Sequence, residues 1–282
     1  PYELGKVSRA CTLFAAPLLF RFGRAVLPMP GGDKIGKRPI DRHLDGLRAL
    51  GAKAVCENGL FKIKAPGGLK GARFKFAKPT HTGTETLLMA AVCAVGETIL
   101  ENAAREPEVD DLISFLNKMG GRIKREGEVI RIKGVRRLAG VTHEIMPDRN
   151  EAVTFAVAAL VTGGEVLVKR ANPAVLSSFL EKVKEAGGDY KIERKGIRFW
   201  RRGSLKAVNI VTRPYPGFST DWQALWTVLM TQARGVSTVH ETIFENRFGY
   251  VPNLIQMGAK IELFNPKIKN PAQFYNFNWE DN

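Results

Sequence analysis

A chain of 282 residues with 44% hydrophobic and 9% aromatic side chains can supply a core to each of two ordinary domains, which excludes a disordered chain. No apolar run reaches the roughly 18 to 20 residues of a membrane span, and the stretch from Cys11 to Phe22 is broken by Pro17 and Arg21, so a soluble protein without membrane contact is expected. Lys and Arg number 43 against 28 Asp and Glu, and the resulting charge of +15 favours acidic partners such as nucleic acid or phosphorylated small molecules.

The first residues, Pro1-Tyr2-Glu3-Leu4-Gly5-Lys6, carry neither a start methionine nor a signal pattern, and the N-terminus is expected to be missing. Cys11, Cys56 and Cys93 have no CxxC spacing, which argues against a disulfide framework and a zinc site and fits a reducing compartment. Basic residues are spread along the chain, whereas a nucleic-acid binder concentrates them in a stripe with aromatics. The densest runs, Arg194, Lys195, Arg198, Arg201 and Arg202, then Lys267 and Lys269, read as solvated faces.

In chain order, a strand at Ala25 to Leu27 is followed by the segment Pro30-Gly31-Gly32-Asp33-Lys34-Ile35-Gly36-Lys37-Arg38-Pro39 and a helix from near Asp41. A second unit has an apolar helix from Thr84 to about Val95, stopped by Gly96, and a strand at Glu97 to Glu101. After Pro107, the spacing of Val109, Leu112, Ile113 and Leu116 marks one buried helical face, and Arg122–Arg125 with Val129–Ile132 reads as a hairpin. The strings LRALGAKA, LNKMGGRI, VKEAGGDY and IQMGAKIE place a glycine stop at Gly51, Gly120, Gly187 and Gly258. A period of roughly 70 residues marks an internal repeat. The fourth unit reaches Phe264 and gives way at Asn265-Pro266 to a polar, aromatic tail. Near Pro147 the second unit ends and Asp148-Arg149-Asn150-Glu151 opens a helix, which divides the chain into domains 1–146 and 147–282.

The inserted segment at 30–39 carries the richest chemistry. Two glycines permit close approach of a ligand, Lys34, Lys37 and Arg38 can hold phosphate, and Asp33 is a lone carboxylate among them. On local pattern alone it is equally an exposed turn.

The string PGGDKIGKRPIDRHLDGLRALGA resembles the catalytic loop and following helix of the UDP-N-acetylglucosamine 1-carboxyvinyltransferases, and ENAAREPEVDDL, MPDRNEAVTF, FSTDWQAL and ETIFENRFGYVPNLIQMGA resemble further segments in the same order, from Pro1 to about Phe264. The resemblance implies an α/β fold of repeated helix-strand units forming two domains of the enolpyruvyl transferase type, an inside-out α/β barrel, with ligands between the domains. That family has six units, so the four here imply an incomplete architecture. The implied reaction joins the 3-hydroxyl of UDP-N-acetylglucosamine to C2 of phosphoenolpyruvate and expels phosphate. It needs no metal and no cofactor, and a cytoplasmic monomer that binds no nucleic acid is expected.

By the same resemblance, Asp221 matches the aspartate that takes the hydroxyl proton, with an ordinary N-cap as its alternative role. Asp33 stands where most members carry the cysteine that protonates C3 of phosphoenolpyruvate. A carboxyl group can do so only if its pKa is raised, by burial or by the substrate's charges, against the pull of the neighbouring cations. Arg9 and Arg38 match arginines of the ligand site. Arg38, Pro39, Ile40, Asp41 and Arg42 resemble the stretch that holds the nucleotide, with Asp41 towards the uracil and Arg42 in place of an apolar residue. Lys78, Pro79, Thr80 and His81 lie where the family binds the diphosphate at a helix N-terminus, and Ile243 matches a sugar-nucleotide contact. Glu106, Asp148, Glu151 and Arg247 read first as structural ion pairs. His43, His81, His143 and His240 share no metal-ligand spacing and read as surface or hydrogen-bonding residues.

Three other readings stay open: a shikimate-pathway enolpyruvyl transferase, a basic nucleic-acid-binding protein and an inactive remnant. The last arises because the family's lysine-asparagine pair and its C-terminal aspartate and arginines lie outside these residues.

Overall fold

A computed structural model describes residues Tyr2–Asn278. They form two compact units, one of residues up to Asp33 with Arg38–Ile145, the other of Met146 onward with the loop tip Lys34–Lys37.

The repeat is visible as one topology used three times. In each case a strand is followed by a helix, a left-handed glycine and a hairpin whose second strand pairs with both others. The first set is Arg24–Pro28, the helix Asp41–Ala49 and the hairpin Lys53–Glu57 with Leu60–Lys64. The second is Glu97–Glu101, the helix Pro107–Lys118 and the hairpin Arg122–Glu126 with Val129–Lys133. The third is Glu165–Lys169, the helix Ser177–Glu185 and the hairpin Gly188–Glu193 with Gly196–Arg201. The short strand Arg73–Lys75 extends the second sheet by a parallel pairing with Glu97–Glu101.

The glycines explain why this turn recurs. Gly51, Gly120, Gly187 and Gly258 have φ of 92°, 97°, 83° and 94°, which lets the chain leave a helix and reverse at once. In the fourth unit the helix Val251–Gln256 and the glycine are present, but residues 259–264 lie in no strand, so the unit expected to reach Phe264 stops as a unit after its helix.

The helix expected at Thr84–Val95 spans His81–Ala91 instead. Thr80 caps it by accepting a hydrogen bond from Gly83 N at 3.4 Å, which starts the helix a turn earlier. Gly96, with φ 100°, serves the turn into the next strand rather than the helix end. The polar tail is also more structured than its composition suggests. Tyr275 is 3% exposed, its hydroxyl lies 3.0 Å from His240 Nε2, and Asn276 N donates to Thr242 O at 2.7 Å.

Each unit has its own core. In the first, Leu47, Leu50, Phe76, Leu87, Leu88, Leu100 and Ile130 are buried where helices cover one face of the sheets. In the second, Phe179, Phe199, Phe218, Trp222 and Trp226 form an aromatic centre, with Phe179 and Phe218 meeting Trp222 edge-on at 5.9 and 5.5 Å. The Trp222 indole N–H donates to Asn150 Oδ1 at 2.8 Å, so the residues beside Asp221 are tied to the helix Arg149–Thr162.

A methyl group at Gly120 would meet nothing within 4 Å, so Gly120→Ala isolates the backbone conformation from packing. We expect a loss of about 1–2 kcal/mol in denaturant titration, against no loss, or a gain of up to about 1 kcal/mol, for Gly140→Ala, whose added carbon is equally unobstructed and whose φ is not positive.

Candidate functional site

In the first unit the expected ligand residues converge on the base of the 30–39 segment. Ser8 accepts a hydrogen bond from Ala10 N at 3.2 Å and opens the tight turn Arg9–Phe14. Arg9 Nη1 donates to Arg38 O at 2.5 Å and Nη2 to Pro39 O at 3.0 Å. Arg42, the second residue of its helix, donates from Nη1 to Pro79 O at 3.3 Å. That contact joins the stretch at 38–42 to the stretch at 78–81. Arg9, Arg38, Arg42 and Lys78 thus form a cationic cluster. Burial, then Arg38, and more weakly Arg42, bring the Arg9 pKa down to about 10, with Cys11 acting the other way. Burial lowers Arg42 against the pull of Asp41, and burial with Arg42 lowers Lys78.

The loop glycines lie close against the protein's own atoms. A side chain at Gly31 would lie 1.4 Å from Lys6 O, and one at Gly32 would lie 2.8 Å from Arg38 Nη1. Asp33 is exposed. Asp41 is the exposed first residue of its helix and Ile40 is buried beneath it. Pro39 offers its carbonyl to Arg9.

Two histidines of this unit are half-buried or buried hydrogen-bonding residues. His43 is 3% exposed and its Nε2 lies 2.9 Å from Thr82 Oγ1. Burial, then Arg9 and Arg42, drive its pKa down to about 3, outweighing a hydrogen bond to Ile40. At His81, burial acts downward but is outweighed by Glu85, 3.3 Å away, and by Glu106 and Glu108, so its pKa is raised.

In the second unit, Asp221 lies in the short 3-10 turn Thr220–Trp222, and its N-cap is Ser219, not Asp221 itself. The Asp221 carboxylate is half-exposed and accepts from Arg247 Nη2 at 2.7 Å. Ile243 N donates to Glu241 Oε1 at 2.7 Å. Glu241 was missed by sequence reasoning. It is 5% exposed, and burial raises its pKa against the hydrogen bonds it accepts. Its partners Thr212 and Thr220 lie more than twenty residues away, so no local spacing marks it. The loop tip is held in this unit as well: Asn246 N donates to Ile35 O at 3.1 Å, and Lys37 N donates to Glu245 Oε1.

Of the charged residues expected in ion pairs, Arg247 makes one with Asp221. Asp148 instead caps its helix, accepting from Asn150 N at 2.7 Å, and Glu151 is exposed in the first turn, where the helix dipole favours it. Glu106 sits at an N-cap position without a side-chain cap bond. The basic run at 194–202 is not simply solvated. Arg198 pairs with Glu193 and Glu165 at 2.7 and 2.8 Å, and Arg201 donates to Leu160 O and Gly203 O. Among the described residues no group of His, Cys, Asp and Glu is placed to hold a metal ion, and no helix is long and apolar enough to cross a membrane.

Residues 3–279 match the family described as EPSP synthase (3-phosphoshikimate 1-carboxyvinyltransferase). The chain belongs to this family. It is 47% identical over 263 residues to a UDP-N-acetylglucosamine 1-carboxyvinyltransferase of Idiomarina loihiensis, covering 93% of this chain and 63% of the relative, so it spans less than two thirds of that protein's length. Among solved structures, the enolpyruvyl transferase NikO from Streptomyces tendae superposes with a TM-score of 0.77 at 20% identity, over 90% of this chain and 61% of that one. An EPSP synthase from Acinetobacter baumannii gives 0.58 at 23% identity, over 82% and 55%. These likenesses show the enolpyruvyl transferase fold that the resemblance implies.

His43 is expected to stay neutral from about pH 5 to 8, with ring resonances that do not titrate in that window. Its folded pKa lies below the ordinary 6.5, so its contribution to stability is complete above that value and is lost as pH falls towards about 3.

Proposed function

We propose that this chain is the larger part of an enzyme that transfers the enolpyruvyl group of phosphoenolpyruvate to the 3-hydroxyl of UDP-N-acetylglucosamine, the step that commits the sugar nucleotide to peptidoglycan. The observation that carries this reading is the cluster of Arg9, Arg38, Arg42 and Lys78 at the base of a loop bearing the single carboxylate Asp33, in a chain 47% identical to a protein of that name. Both substrates are phosphorylated, and arginine forks with a helix N-terminus at Thr80–His81 suit such oxygens.

In this reading Asp221 takes the hydroxyl proton while the sugar oxygen bonds to C2 of phosphoenolpyruvate, and Asp33 supplies a proton to C3. The tetrahedral adduct then loses a proton from C3 as the C2–O bond to phosphate breaks, which restores the double bond. Arg9, Arg38, Pro39, Ile40, Asp41 and Arg42, with Lys78, Pro79, Thr80, His81 and Ile243, hold the two substrates. The engagement of Arg198 and Arg201 within the protein speaks against a nucleic-acid stripe. The enzyme is read as a cytoplasmic monomer. The family description favours a shikimate-type acceptor, but the inserted loop, which the shikimate enzymes lack, and the 47% relative favour the sugar nucleotide.

The test is phosphate release from phosphoenolpyruvate plus UDP-N-acetylglucosamine, with this chain and with a version completed at both ends from the Idiomarina relative. Release that depends on the sugar nucleotide is expected in the completed form, and its absence from the folded, completed protein removes the reading. Asp221→Asn should lower turnover by about 10²- to 10⁴-fold. Fosfomycin alkylates a thiolate far better than a carboxylate, so no time-dependent inactivation is expected, whereas Asp33→Cys should make the enzyme sensitive.

A further inference from the structure

The second unit contains a buried carboxylate that the proposed chemistry does not use. Glu241 Oε1 accepts from Thr212 Oγ1 at 3.0 Å, Ile243 N at 2.7 Å and Phe244 N at 3.2 Å, and Oε2 accepts from Thr220 Oγ1 at 2.9 Å. The network closes on itself. Thr212 Oγ1 also accepts from Thr242 N at 2.8 Å, and Thr242 Oγ1 donates to Thr212 O at 2.6 Å.

These partners fall on two segments that matter to the site. Thr220 directly precedes Asp221, and Ile243-Phe244 begins the turn that carries Arg247 back to the Asp221 carboxylate at 2.7 Å. A single side chain therefore fastens both halves of the Asp221–Arg247 pair. Removing it would take the acceptor from two part-buried backbone N–H groups, one part-buried hydroxyl and the buried Thr212 hydroxyl, where each loss costs more than at an exposed site.

We infer that Glu241 is a positioning residue for the reaction proposed above, setting Asp221 through Thr220 and setting Ile243 and Arg247 through the turn they share. This role rests on the reading of Asp221 as the base. Glu241 touches no reacting atom in it. An interior salt link is not its purpose, since all four of its partners are neutral donors. Gln in its place keeps one oxygen for the turn and presents an N–H₂ to Thr220, whose hydroxyl can rotate to accept it.

The test combines amide exchange with kinetics. In this chain, exchange at Ile243 and Phe244 should quicken by at least about tenfold in Glu241→Ala and much less in Glu241→Gln, and unchanged exchange in the alanine variant overturns the inference. In the phosphate-release assay of the completed enzyme, Glu241→Ala should lower kcat about 100-fold and Thr220→Val about tenfold, with the KM for phosphoenolpyruvate within about threefold of wild type. Glu241→Gln should recover most of the rate. In an Asp221→Asn background, Glu241→Ala should cost less than about threefold further, because residues acting as one unit are not additive. A full 100-fold loss there assigns a merely structural role and overturns the inference, as does wild-type kcat in both Glu241→Ala and Thr220→Val. If Glu241→Ala does not fold, Thr220→Val and Glu241→Gln carry the same comparison. A wild-type enzyme with no turnover removes the function itself, a result distinct from active wild type with active variants.

Discussion

A helix that must turn back into a strand within two residues needs a positive φ at its end, and glycine reaches that conformation without strain. The repeated unit is built around this requirement. Because Gly51, Gly120 and Gly187 all make the same reversal, the hairpin that follows returns to the strand before the helix, and its second strand takes the central place each time. The apolar helix face is then set against the sheet, and the loops that carry chemistry emerge at fixed places relative to it. The segment at 30–39 lies between the strand Arg24–Pro28 and the helix Asp41–Ala49, a connection that this scaffold leaves free to lengthen.

Within that scaffold the two units solve different electrostatic problems. The first gathers like charges and stabilises them with carbonyl oxygens: Arg9 on Arg38 O and Pro39 O, Arg42 on Pro79 O. The second buries a carboxylate and surrounds it with neutral donors, leaving Asp221 at the surface beside Arg247. Carbonyl dipoles and hydroxyls do not cancel charge. They hold it in position, which keeps the cations effective towards an anionic ligand.

The repeat, its glycine stops and its hairpins were legible because they depend on local periodicity and on one residue type with special backbone freedom. The strand Glu97–Glu101 and the helix after Pro107 stand where the pattern put them. The helix at His81 began early because a Thr cap outweighed the apolar run, and Asp221 was a candidate cap only until Ser219, two residues earlier, took the place. Candidate ligand residues were legible by resemblance to a family. What joins them was not. The Arg42–Pro79 contact, the packing of Gly31 on Lys6 and the Glu241 network all link residues distant in sequence, so no window along the chain contains both partners. The tail at 271–276 shows the same limit, since Tyr275 and Asn276 find His240 and Thr242 only in the folded chain.

The crowding of Arg9, Arg38, Arg42 and Lys78 has a consequence for the protein's own stability. Burying these cations and bringing them together works against folding of the first unit, and burial first, then Arg38, lowers the Arg9 pKa. A phosphate or diphosphate bound there, as proposed, would relieve that repulsion, so the ligand would act as a counter-ion of the folded state and its binding energy would also be folding energy. Ionic strength then acts on the cluster in two opposing ways, easing the repulsion in the empty protein while weakening the attraction that fills it.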